Sequence, residues 1–204
     1  MKEEKVYIKN GNLVIEGLFY KSSKEKGVVI CHPHSLMGGS MYNNVVETVQ
    51  EAFAAGNMST LRFNFRGVGG STGTYEEGIG EQKDIIAVCE YLKNTGISEL
   101  FFAGYSFGAW VGSKIIGAKD NPFSFVICVS PPIDYFNFEW DDLKNKIDLF
   151  VCGDRDQFCT WDILSSKARK INSLLEKVSG ADHFYMGKEE ELAGIMRKHI
   201  TKKT

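Results

Sequence analysis

Four short runs in this chain are apolar at every position: Val28–Cys31, Leu100–Ala103, Val126–Val129 and Leu149–Cys152. A strand with one wet face alternates polar and apolar residues. A run with no polar position needs cover on both faces, as in a parallel sheet flanked by helices. Strand-like runs recur at Lys5–Ile8, Leu13–Tyr20, Gly27–Cys31, Thr60–Phe65, Glu99–Ala103, Phe123–Val129, Ile147–Cys152 and Leu174–Val178. Segments of helical period lie between them. Val45, Val49 and Phe53 share a face of Met41–Ala55; Ile85, Val88, Cys89 and Leu92 do so in Glu81–Asn94. Ile163, Leu164, Ala168 and Ile171 suggest a third helix, and Leu192, Ile195, Met196 and His199 a C-terminal one. Phe107–Ala118 reads as a less amphipathic helix, and Gly56 and Gly96 stand where C′ glycines are expected. Two opening strands followed by strand–helix alternation predict an α/β fold, mainly parallel with an antiparallel start. Ligands of such sheets bind at the carboxyl ends of the strands.

The length of 204 residues suits one domain spanning 1–204, with no linker or repeat. Twenty-four basic and 26 acidic residues leave a net charge of −2, so no nucleic-acid or acidic-membrane partner is expected. The five cysteines sit mostly in apolar runs and show no CxxC spacing, which argues against a disulfide framework and a thiolate zinc site. MKEEKVYIKN lacks the apolar stretch of a signal peptide, and no 18-residue apolar span exists. The expected location is the cytoplasm.

Gly104-Tyr105-Ser106-Phe107-Gly108 follows an apolar run and opens a helical stretch. This is G-x-S-x-G in strand–turn–helix context. The serine must sit on a strained turn to raise its hydroxyl above the sheet, and side chains two residues to either side would strike the adjacent helix and strand. Such a serine needs a base, and the base an orienting acid, in the chain order Ser, Asp or Glu, His. His32 and His34 precede Ser106, and His199 falls near the frayed end of an expected surface helix. His183, just past the last expected strand, is the candidate base. For the acid, Asp154 and Asp156 compete in Gly153-Asp154-Arg155-Asp156-Gln157. The residue nearer the strand suits an Asx turn, and the one further out can reach the histidine loop, which favours Asp156. Asp134 is a remote alternative.

An acyl-transfer serine also needs oxyanion donors. Phe107 offers one backbone N–H; the second is expected from His34 or Ser35 in His32-Pro33-His34-Ser35-Leu36-Met37-Gly38-Gly39. His32-x-His34 lacks the further ligands of a metal site, so no metal is expected. The glycine-rich stretch Arg66–Gly73 fits neither a dinucleotide fingerprint nor a P-loop.

Taken together, CHPHSLMGGSMYNNVV, TLRFNFRGVGGSTGTYEEGIGEQKD, FFAGYSFGAW, VCGDRDQF and GADHFYMG resemble the α/β-hydrolase superfamily, near its small bacterial dienelactone-hydrolase-like members. The resemblance covers nearly the whole chain. It implies the α/β-hydrolase fold, a mostly parallel eight-stranded sheet with helices on both faces, and a Ser106–Asp156–His183 triad. The His-Gly pair common in that family before the oxyanion loop is His32-Pro33 here, and the nucleophile is serine where dienelactone hydrolase has cysteine. Many members insert a lid where this chain has only Pro131 to Lys146. That length holds a loop and one short helix but no large lid, so an open site is expected. Tyr135, Phe136, Phe138 and Trp140 would either wall it or pack the connection onto the sheet. The expected activity is cofactor-free hydrolysis of a small-molecule carboxylic ester or thioester. An amidase or peptidase is the nearest variant, and a non-catalytic binding protein on the same fold is the rival reading.

Overall fold

The runs that are apolar throughout become the central strands of a single sheet. A computed structural model describes residues 2–203. Its strands are β1 (Glu4–Asn10), β2 (Leu13–Tyr20), β3 (Lys26–Cys31), β4 (Ser59–Phe63), β5 (Glu99–Tyr105), β6 (Phe123–Val129), β7 (Leu149–Gly153) and β8 (Leu174–Val178). The helices are α1 (Asn44–Ala55), α2 (Ile79–Asn94), α3 (Phe107–Gly117), α4 (Trp161–Lys170) and α5 (Glu189–Ile200). The eight strands lie in the order β1-β2-β4-β3-β5-β6-β7-β8. β1–β2 and β2–β4 pair antiparallel, and every other neighbour is parallel.

Each sheet face carries its own apolar layer. On one, Val45, Val49 and Phe53 of α1 meet Leu192, Met196 and Ile200 of α5 over Phe101, Ile127 and Val151. On the other, Ile85, Val88, Val111, Ile115 and Leu164 cover Leu61, Phe102 and Cys128. Burial of such side chains stabilises the fold by roughly 1.5–3 kcal/mol each.

Local hydrogen bonds shift several expected boundaries. The first helix starts at Asn44 because the Met41 N–H donates to Asn64 Oδ1 (2.8 Å) and the Ser40 N–H to Asn43 Oδ1 (2.7 Å), holding a turn. β4 ends at Phe63, since the Phe65 N–H donates to a histidine ring instead of the ladder. α2 starts early, at Ile79, because the Glu81 carboxylate accepts the Gly78 and Glu76 N–H groups. Gly96 has the left-handed φ of 97° expected past a helix end. Gly56 does not: its φ is −81°, and Asn57 takes the left-handed position. Close approach explains Gly56 instead, as a Cβ there would lie 2.9 Å from Ile200 Cγ2.

His199 is not at a frayed surface end. It is buried, with Nε2 2.9 Å from Glu176 Oε1, and ties α5 to β8. The Pro131–Lys146 connection, long enough for one short helix, forms turns instead.

Candidate active site

Ser106 sits between the end of β5 and the start of α3 with φ 53° and ψ −120°, a strained conformation for a residue with a Cβ. Its N–H donates to Val129 O at 3.0 Å. The flanking glycines are required by contact. A Cβ on Gly104 would lie 2.6 Å from Ala109 Cα in the helix, and one on Gly108 2.7 Å from Cys31 O at the end of β3. The small residues thus let strand, turn and helix close tightly enough to present the hydroxyl at the strand ends.

His183 and Asp156 come from the loops after β8 and β7. His183 Nε2 lies 2.8 Å from Ser106 Oγ, and its Nδ1 lies 3.0 and 2.9 Å from the two oxygens of Asp156. The carboxylate accepts the Nδ1–H, which leaves Nε2 free to accept from the serine. All three residues are buried. The two loops are clamped together. Gly153 admits Ala181 O to within 2.2 Å of where a Cβ would stand, and the Arg155 N–H donates to Ala181 O at 3.0 Å. Asp154 accepts the Gly180 N–H at 2.7 Å, so it bridges loops and does not form an Asx turn of its own. The Asx geometry belongs to Asp156, whose Oδ1 accepts the Phe158 N–H at 2.9 Å. From below, the Tyr105 hydroxyl donates to His183 O at 2.7 Å. Burial raises the Tyr105 pKa, so it remains a donor. Asp134 accepts from Thr160 and stands outside this chain of bonds.

The loop after β3 uses its histidines differently. His32 is fully buried; its Nδ1–H donates to Pro33 O at 2.6 Å, and its Nε2 accepts the Phe65 N–H at 3.0 Å. Burial pulls its pKa down to about 4. The His34 Nδ1 accepts the Leu36 N–H and its Nε2 meets the Tyr75 hydroxyl, each at 3.2 Å. All four ring nitrogens are therefore engaged, and no metal-holding cluster of His, Cys, Asp and Glu exists among the described residues. The glycine-rich crossing is held by carboxylates: Glu16 accepts the Gly70 N–H at 2.7 Å, the kind of amide a phosphate would use. Arg66 is bound by Asp84 and Glu76.

A cavity of about 460 Å³ opens over Ser106 and His183. Phe107 and His34 line it, and among the described residues their backbone N–H groups meet no protein acceptor. Ser35 is set back from the cavity, with its Oγ buried and unpartnered. Of the aromatic connection, Tyr135 and Phe136 reach the cavity. Phe138 and Trp140 do not, which corrects their candidacy as substrate contacts: they follow the alternative of packing the connection onto the sheet. Phe138 is buried in the core and stacks on Trp140, which packs toward Phe150. The wall is completed by Phe158 and Phe184, which the sequence reading missed. Their positions were a usable signal: Phe158 is two residues past Asp156, and Phe184 directly follows His183.

No helix among the described residues is long and apolar enough to cross a membrane. No protein-family model matches the chain. It is 30% identical over 200 residues to an uncharacterized protein of Rickettsia prowazekii, across 91% of this chain and 84% of the relative. A solved alpha-beta serine hydrolase homologue from Coxiella burnetii is 32% identical, with a TM-score of 0.86 and 98% of each chain covered. A lidless α/β serine hydrolase from Xanthomonas campestris shares the fold at 24% identity and a TM-score of 0.86, covering all of this chain and 95% of its own. With the elbow at Ser106, the eight-stranded sheet and these relatives, the chain belongs to the α/β-hydrolase superfamily as one of its small lidless members.

Proposed function

We propose that this protein is a serine hydrolase of small-molecule carboxylic esters or thioesters, working through an acyl-enzyme. The observation that carries the reading is the unbroken chain Asp156–His183–Ser106, with bonds of 2.9 and 2.8 Å on the two imidazole nitrogens. In the first step His183 Nε2 takes the Ser106 proton as Oγ attacks the carbonyl carbon. Asp156 stabilises the imidazolium that forms. The N–H groups of Phe107 and His34 are the oxyanion donors that fit, since both line the cavity without a protein acceptor among the described residues. The leaving group departs with the proton from His183. Water then attacks the acyl-enzyme with His183 again as base, and Ser106 recovers its proton. No cofactor enters any step.

The five cysteines are free and buried. Burial raises the thiol pKa values of Cys31, Cys89 and Cys128, keeping them protonated and poor nucleophiles. That state suits a reducing compartment, and we place the enzyme in the cytoplasm.

The test is covalent labelling by a fluorophosphonate probe. Wild-type protein should label and hydrolyse simple esters. Ser106→Ala should do neither, with a loss of about 10⁶ in kcat and an unchanged circular dichroism spectrum. Turnover at wild-type rates in that variant would sink the assignment.

A further inference from the structure

We infer that the alcohol side of the substrate is an uncharged aromatic group, seated against Phe158 and Tyr135. The inference rests on the hydrolase reading and adds what the cavity selects. His183 must deliver its proton to the departing oxygen, so the alcohol lies on the side of the cavity where the imidazole stands. The C–O bond to that alcohol breaks as the proton first taken from Ser106 passes from Nε2 to the alkoxide. Carbonyl carbon stays on Oγ, and the atoms balance without a further reactant.

The rings at that end are specific. Phe158 lies 4.6 Å from the imidazole, centroid to centroid, and Phe184 lies 5.7 Å away at 88°. Tyr135 extends the surface, 5.3 Å from Phe158. Tyr135 is 67% exposed and Phe184 50% exposed, so their faces are available at the mouth. Aromatic side chains attract a flat π-system beyond what area burial alone supplies.

The cavity also selects on charge. Among the described residues, no Lys, Arg, Asp or Glu lines it. An anionic alcohol would lose its hydration there without gaining a cationic partner.

Four acetates separate the contributions: ethyl, cyclohexylmethyl, benzyl and 4-carboxybenzyl acetate. Benzyl and cyclohexylmethyl alcohols match in size and in basicity but differ in flatness and π-character. Wild-type kcat/KM for benzyl acetate should exceed cyclohexylmethyl acetate roughly fivefold and ethyl acetate about tenfold or more. The carboxybenzyl ester should fall at least about a hundredfold below benzyl. Phe158→Leu, which keeps an apolar side chain but removes the ring, should bring the benzyl-to-cyclohexylmethyl ratio to about one, by the loss of that ring contact. Tyr135→Leu, at an exposed position where folding is not at stake, should lower the same ratio in part. Probe labelling with equal rates on benzyl and cyclohexylmethyl esters, with full activity on the carboxybenzyl ester, or without turnover of benzyl acetate would overturn this inference alone. No labelling and no turnover of any of the four would overturn the hydrolase reading and this inference with it.

Discussion

Two loops at the carboxyl edge of the sheet each bury a histidine, and they put the same side chain to opposite uses. After β3, His32 gives Nδ1–H to Pro33 O and takes the Phe65 N–H on Nε2. Both partners are neutral backbone groups that cannot move, so the ring stays neutral and acts as a bracket between β3 and β4. After β8, His183 gives Nδ1–H to a carboxylate and offers Nε2 to a hydroxyl. A negative partner on one nitrogen supports positive charge on the ring, and a hydroxyl on the other can supply the proton. Burial is nearly the same for the two residues: His32 is 0% and His183 5% exposed. The identity of the hydrogen-bond partners, more than depth, separates a bracketing histidine from the one proposed as the base.

The comparison breaks most sharply at Asp156. Asp156→Asn gives His183 a neutral partner of the kind that holds His32. The amide can donate to Nδ1 and so favour the wrong tautomer. Steady-state kcat should fall about 10⁴-fold, and probe labelling should slow in parallel. Asp154→Asn should leave kcat near wild type, because the Asp154 carboxylate accepts the Gly180 N–H and makes no hydrogen bond to His183 among the described residues. A reversal of these two results would give Asp154 the role assigned to Asp156.

A second experiment reads the bracket. The unfolded chain protonates His32 near the ordinary value of 6.5, whereas burial holds it near 4 in the folded state. Between those values the unfolded state binds more protons, so stability falls as pH drops from 6.5 toward 4 and this contribution stops changing below 4. The loss assigned to this one group is about 3 kcal/mol. Urea unfolding at a series of pH values should show that slope in the wild type and a shallower one in His32→Asn. Equal slopes would mean that His32 is not the titrating group.

The smallest effect sharpens the picture around His183. Tyr105→Phe keeps the ring, which lies 5.4 Å from the imidazole, and removes the bond to His183 O. That loss is worth about 1 kcal/mol. It should appear as a roughly fivefold lower kcat with KM little changed, since the hydroxyl is committed to His183 O and steadies the histidine loop. A change confined to KM would place Tyr105 among the substrate contacts instead.

The element order was readable from the sequence because the central runs are apolar throughout and the helices between them keep their period. Ser106 was readable because the elbow imposes glycine at 104 and 108 by contact with Ala109 and Cys31. His183 followed by chain order. What stayed hidden depends on partners distant in sequence. His199 looked like a helix end because its partner, Glu176, lies on another element. Gly56 looked like a helix stop, but Ile200 dictates it. Phe138 and Trp140 looked equivalent to Tyr135 and Phe136; only the path of an irregular connection decides which aromatic rings face the core and which the cavity. The two aspartates divided their labour in a way no local rule foresaw, with the Asx turn on Asp156 and the bridge to the next loop on Asp154.

The turns between Pro131 and Lys146 carry no cap, so nothing has to swing aside before a substrate reaches Ser106. The same opening bears on how long an acyl group survives there. A site that shuts over its acyl-enzyme shields it and can hand it to a chosen alcohol or amine. In the proposed mechanism an acyl-enzyme at such an uncapped mouth stays within reach of solvent, so water competes with any other acceptor. On that mechanism the short connection inclines the chemistry toward hydrolysis and away from acyl transfer.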